Sequence, residues 1–159
     1  MNTIECIARA IIEEDGKFLL CRGRNISGLE PEFANSNWFF PGGHIEEGES
    51  APEALMRELV EELGEESEVV RFLGASENKF EKDGRAVHEI NLVFEVALSN
   101  QQIRGSAINL ICKSQEDHLE FAWLARDELR DAIVLPASLR DAVLAMDGNL
   151  KPFWVSEGF

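Results

Sequence analysis

Residues 43–64, GHIEEGESAPEALMRELVEELG, constrain the chain more than any other stretch, because they join a glycine turn to a helix whose start, stop and inner face can all be read from residue types. Ser50 and Glu53 form an S-x-x-E capping box: the serine oxygen accepts an orphan backbone N–H and the glutamate reaches back to the cap residue. The helix therefore begins at Ala51. Pro52 is tolerated in the first turn, where its missing N–H has no intrahelical partner, and Gly64 suits a left-handed stop. The spacing predicts a helix over 51–63. At about 100° per residue, Leu55, Met56, Leu59, Val60 and Leu63 fall on one side and Glu58, Glu61 and Glu62 on the opposite one. One face is core and the other is acid.

Glu58 and Glu62 are four residues apart and Glu58 and Glu61 three, so their carboxylates lie close together with no base expected among them. Like charges so placed destabilise a helix unless a cation sits between them. Oxygen donors without Cys or His suit Mg²⁺ or Mn²⁺, ions that keep several waters and complete their shell with phosphate. The alternative is a solvated acidic face of an amphipathic helix.

Spacing decides between these. Gly43, five residues to Glu49, seven more to Arg57-Glu58-Leu59, then Glu61-Glu62 and Gly64 resembles the Nudix box of the Nudix hydrolases, a MutT-like pattern over 43–65. One position departs, because Glu65 stands where the family usually has an aliphatic residue. The resemblance extends from about Ile4 to Met146. It implies an α/β fold, an α/β/α sandwich around a mixed β-sheet, and divalent-metal-dependent hydrolysis of a pyrophosphate bond in a nucleoside diphosphate linked to another group X. It also implies that the Gly42 carbonyl, Glu58, Glu61 and Glu62 face the metal, and that Glu49 and Arg57 pair to hold the loop between Gly43 and the helix. By sequence alone Arg57 could equally pair with Glu53 or Glu61.

Length and composition bound the rest. A chain of 159 residues is expected to form a single domain, 1–159, with a core of its own. Hydrophobic content of 45% and charged content of 28% are those of a soluble protein, without an apolar run long enough for a bilayer, so no membrane partner and a cytoplasmic address are expected. Cys6, Cys21 and Cys112 are an odd, scattered set and read as small buried hydrophobes. The net charge of −15 argues against long nucleic acid as a partner. Between Gly43 and Glu68 stand ten glutamates and only Arg57 as a base, a surface that repels phosphate unless divalent metal inverts the field.

In chain order, residues 3–12 read as a strand, and Asp15-Gly16 turns it into a second strand over 17–22, an antiparallel hairpin. Arg22 and Arg24, at its end, are candidate substrate-binding residues, with solubility as their other explanation. A loop over 25–37 follows, read as a flap over the substrate, with disorder as the alternative. Trp38-Phe39-Phe40 then leads as a short strand into Pro41-Gly42-Gly43, and Trp38 is a candidate base-stacking residue. Strands are expected over 69–80 and 86–98, the second placing Ile90, Leu92, Phe94 and Val96 on one face and Glu89, Asn91 and Glu95 on the other. Another strand is expected over 107–112 and a final one over 121–124, followed by helical segments over 126–133 and 136–146. The tail, 150–159, carries Phe153, Trp154 and Phe159, and should pack on the body or on a second copy in a homodimer.

For the proton of the attacking water the family uses either a glutamate of the box or an acid on a later loop. Glu61 comes first here, with Glu116 and Glu120 as rivals that could instead be further metal ligands. The substrate class is a small nucleotide derivative. The Pro or Tyr that marks the ADP-ribose and dinucleoside polyphosphate subclasses is missing, since no Pro lies between Pro52 and Pro136 and the chain has no Tyr. The competing readings are a catalytically silent nucleotide-binding module of the same fold and, further off, an enzyme resembling isopentenyl diphosphate isomerase.

Overall fold

A computed structural model describes residues 4–23, 37–64, 66–82, 84–99, 110–111, 119–148 and 151–159. Its elements are β1 (Ile4–Ile11), β2 (Glu13–Glu14), β3 (Lys17–Gly23), β4 (Gly42–His44), α1 (Ala51–Leu63), β5 (Ser67–Lys82), β6 (Arg85–Leu98), β7 (Leu110–Ile111), β8 (Leu119–Ala125), α2 (Arg126–Asp131), α3 (Ala137–Ala145) and β9 (Phe153–Glu157). Two sheets result. One has the order β4-β1-β6-β5-β9 and the other β2-β3-β8-β7. The first is mixed, because β1 runs parallel to β6 and β5 parallel to β9, while the β1–β4 and β5–β6 pairs are antiparallel.

Alternation along the strands sorts their apolar residues into two cores. Ala8 and Ala10 of β1, Leu19 and Cys21 of β3, and Phe94, Val96 and Leu98 of β6 pack with Leu55, Leu59 and Leu63 of α1. Their neighbours Ile11, Phe18, Leu20 and Val93 pack instead with Leu129 of α2 and Leu139 and Val143 of α3. Helices therefore cover opposite sides of the strands, giving the α/β/α sandwich. Each fully buried leucine of α1 contributes roughly 1.5–3 kcal/mol, and the two fully buried alanines beneath let the helix approach closely.

Several sequence expectations change here. The hairpin at Asp15-Gly16 involves only β2 and the start of β3; β1 leaves it for the other sheet. The strand over 121–124 is not the last, because the tail forms β9 and adds to the edge of β5. Its apolar residues signalled packing, but no alternation identified a strand. Cys21 is buried, but Cys6 is exposed, and Cys112 lies outside the described residues, as does most of the strand expected over 107–112. On α1, Val60 is exposed and Glu62 is buried, so the inner face is rotated toward the acidic side. No helix of the described residues is long and apolar enough to cross a membrane.

The tail is clipped at a second place. Pro136, at the start of α3, offers no side-chain cap, and Glu157 of β9 accepts the Ser138 N–H at 2.7 Å instead. A carboxylate at a helix N-terminus satisfies an orphan donor and complements the helix dipole. Glu157→Ala should lower stability by about 1 kcal/mol in equilibrium denaturation; an unchanged midpoint would show that this cap contributes nothing.

Candidate active site

The site is built where α1 meets the glycine turn of β4. Ser50 Oγ accepts the Glu53 N–H at 3.4 Å, and Glu53 Oε2 accepts the Ser50 hydroxyl at 2.7 Å and the Ser50 N–H at 2.8 Å; the hydroxyl bond first and the N–H bond second hold the Glu53 carboxyl below its ordinary range. Gly64 ends the helix at φ 69°, a left-handed conformation that a side chain would disfavour. Rotation along α1 then fixes which glutamates face β4.

Arg57 connects loop and helix. Its Nε and Nη2 donate to the two oxygens of Glu49 at 3.1 and 2.8 Å, Nη2 also donates to the His44 carbonyl at 3.1 Å, and Nη1 donates to Glu58 Oε1 at 2.8 Å. Glu61 lies 3.6 Å from the same nitrogen. The planar fork thus satisfies several acceptors at once, which a lysine could not do. Glu49 also accepts the Glu46 N–H, and the Arg57 contacts foremost, with that bond second, draw its pKa down to about 2. Arg57 itself is pushed upward, first by Glu49 and then by Glu58. The sequence placed no base among the three acids; Arg57 in fact touches two of them.

Two glycines receive the glutamates. A Cβ at Gly43 would stand 2.3 Å from the Glu58 carboxyl carbon, so only the absence of a side chain lets that carboxylate lie over the turn. Gly42 has φ 131°, its N–H donates to Glu62 Oε2 at 3.2 Å, and a Cβ there would meet the Ala8 carbonyl oxygen at 2.0 Å. Glu62 is 6% exposed, whereas the Glu61 side chain is 50% exposed. The candidate donors, the Gly42 C=O and the carboxylates of Glu58, Glu61 and Glu62, would all offer hard oxygens. Among the described residues no three acids, histidines or cysteines close on one point as a complete metal cage. The donor set suits Mg²⁺ or Mn²⁺, ions held through one or two carboxylates with waters and substrate phosphate completing the shell.

The other candidates form a second cluster. Arg22 and Glu120 face each other across the β3–β8 pair, and Arg22 Nη2 donates to Glu120 Oε1 at 2.6 Å. The Arg22 guanidinium stacks 4.5 Å from the Trp38 ring centroid. Arg22, Trp38 and Glu120 therefore belong together, with Glu120 neutralised by its partner. Arg24 and Glu116 lie outside the described residues. A surface depression lined by Glu13, Asp15, Arg71 and Met146 shares no residue with either cluster.

The sequence profile described as NUDIX domain matches residues 5–143. The chain belongs to the Nudix family. As a Nudix hydrolase it is a pyrophosphohydrolase by class. Over 135 residues it is 31% identical to the nucleoside triphosphatase NudI of Escherichia coli O139:H28, an alignment spanning 80% of this chain and 84% of that one. The solution structure of the E. coli ORF135 protein is 28% identical, covers 91% of both chains and superposes with a TM-score of 0.57. The crystal structure of the MutT NUDIX hydrolase from Burkholderia pseudomallei is 21% identical, covers 91% of this chain and 100% of its own, and has a TM-score of 0.63, a likeness of fold.

One set of polar residues in this Nudix chain is buried. Glu89 and Asn91, on the face of β6 opposite Ile90 and Leu92, are 8% and 0% exposed, and Asn78 of β5 is 6% exposed. Asn91 Nδ2 donates to Asn78 Oδ1 and to Glu89 Oε1, and Asn91 Oδ1 accepts Arg9 Nε. Strand alternation separates two faces without saying which is wet. The signal available was Arg9, a lone charge inside an otherwise apolar run on β1.

The Glu49–Arg57 pair gives the Nudix loop a definite acid sensitivity. A carboxyl drawn from 4.5 to about 2 stabilises the fold fully above the ordinary value and loses that contribution as pH falls through about 2. Between those limits, wild-type stability should fall more steeply with acidification than that of Glu49→Gln. Parallel denaturation midpoints across the window would contradict the role given to this pair.

Proposed function

We propose that this chain hydrolyses the pyrophosphate bond of a nucleoside diphosphate linked to X, with Mg²⁺ or Mn²⁺ held by Glu58, Glu61, Glu62 and the Gly42 carbonyl. The observation that carries the reading is the seating of Glu58 over Gly43 and of Glu62 on the Gly42 N–H, which fixes two carboxylates against one turn. Nucleoside triphosphates are the first substrates to test, since the curated relatives at 31% identity are named nucleoside triphosphatases.

The chemistry asks little covalent work of the protein. A divalent ion supplies neutralisation of the phosphoryl oxygens and acidifies a bound water. Glu58 and Glu62 would hold such an ion from the helix, and Arg57 keeps Glu58 in place while balancing part of the local negative charge. Glu61, the most exposed of the three, is the candidate to accept the proton of the attacking water. Glu120, tied to Arg22, is the weaker candidate, and Glu116 remains a rival. Arg22, over the Trp38 ring, would offer a guanidinium to a phosphate, and Trp38 an aromatic face to a base.

The test is turnover of nucleoside triphosphates, nucleotide sugars, ADP-ribose and dinucleoside polyphosphates with Mg²⁺ or Mn²⁺, products being separated by chromatography. One substrate should be cleaved at the pyrophosphate bond, and Glu62→Gln should lower kcat by about a hundredfold or more, the loss of a few kcal/mol of charge stabilisation. Nucleotide binding without turnover in either metal would replace this reading with that of a silent binding module.

A further inference from the structure

A buried polar chain crosses the mixed sheet and ends on the glycine turn. Asn91 lies beside Ile7 of β1 on one side and Ser76 of β5 on the other, with Asn78 opposite Glu89 one step along the same face. Asn91 is fully buried and makes three side-chain hydrogen bonds: to Asn78 Oδ1 at 2.9 Å, to Glu89 Oε1 at 2.8 Å, and from Arg9 Nε at 3.1 Å. Arg9 stands opposite Gly42 in the β1–β4 pair. Its Nη1 donates to the Phe40 carbonyl at 3.1 Å and lies 3.5 Å from the Gly42 carbonyl.

Such an array is costly where valine would serve the core, because every buried amide and guanidinium must be desolvated and rematched. What it achieves is visible at its end. The Pro41 carbonyl accepts the Ala10 N–H at 2.8 Å, while Gly42, next in the chain and opposite Arg9, has a backbone conformation that few residues adopt. Arg9 holds this segment by its carbonyls while Glu62 holds it by the Gly42 N–H. Gly42 is therefore gripped from both faces of the sheet. A carbonyl oxygen has two lone pairs, so the contact with Arg9 leaves one free.

We propose that Arg9 is a positioning residue for the Gly42 carbonyl, and that Asn91, locked by Asn78 and Glu89, sets the plane of the Arg9 guanidinium. The proposal rests on the reading of Gly42 as a metal donor. Partners in the outer shell of a metal site typically change affinity or activity by about 10–100-fold when lost.

The test is Mn²⁺ binding without nucleotide, read from the electron paramagnetic resonance signal of free Mn²⁺, for wild type, Arg9→Met, Arg9→Lys and Glu62→Gln. Arg9→Met should bind Mn²⁺ about tenfold more weakly, and the Mn²⁺ needed for half-maximal turnover should rise in step while the nucleotide KM at saturating Mn²⁺ stays within about twofold. A merely structural role would lower Tm and leave these metal constants alone. Should Arg9→Met not fold, Arg9→Lys carries the test: it keeps the charge without the fork, and should bind Mn²⁺ about threefold more weakly, a smaller loss than full removal of the partner because one donor is retained. Wild-type Mn²⁺ affinity in the folded arginine variants, with Glu62→Gln impaired, overturns the positioning role alone. No Mn²⁺ binding by wild type, or binding that Glu62→Gln leaves intact, overturns the metal reading beneath it.

Discussion

A helix can bring a carboxylate onto a strand only where the strand presents no side chain, and this constraint governs the molecule. Glu58 occupies the space that a Cβ at Gly43 would need, and Gly42 is closed in by the Ala8 carbonyl in the same way. Once α1 is pressed this close, its rotation is fixed by Leu55, Leu59 and Leu63 in the core, and Glu62 is carried to the Gly42 N–H. Arg57 completes the arrangement by tying Glu49, the His44 carbonyl and Glu58 to a single guanidinium. The loop, the strand and the helix are therefore one unit.

Burial of charge at this unit is asymmetric. Glu62 is nearly covered, Glu58 is largely covered and engaged by Arg57, and Glu61 is open to solvent. The buried pair is suited to holding geometry and the open one to exchanging a proton with water. With a net charge of −15, the chain repels a phosphate that approaches these acids within the screening length, and a bound divalent cation would offset that repulsion. Arg22, over Trp38, is paired with Glu120, so a phosphate drawn to it would have to compete with that carboxylate.

Much of this is legible in residues 43–64. The capping box and the helix limits follow from short-range rules that tertiary contacts did not override, whereas the Glu49–Arg57 pair comes from the family resemblance, since helical spacing alone leaves Glu53 and Glu61 equally open to Arg57. The path of β1 was less legible, because the turn at Asp15-Gly16 looks the same whether the strand before it pairs locally or crosses to another sheet. Glu62 was placed on the acidic side, away from the core, because an even angular pattern divides a helix into halves, whereas the real boundary is set by what packs on it. The network of Arg9, Asn78, Glu89 and Asn91 was not legible for a related reason: alternation puts polar residues on one face of a strand without telling whether that face is covered. The strand at 153–157 had no pattern to reveal it, only aromatic residues that had to pack somewhere.

The carboxylates seated on Gly42 and Gly43 are proposed to hold a divalent ion against the phosphates of a nucleotide. Anomalous scattering from crystals grown with Mn²⁺ and a non-hydrolysable nucleoside triphosphate tests this most directly. A Mn²⁺ peak at coordination distance from Glu58 or Glu62, beside the bound phosphates, is expected. A nucleotide bound with Mn²⁺ elsewhere, and these glutamates left without it, would overturn the metal role of both residues.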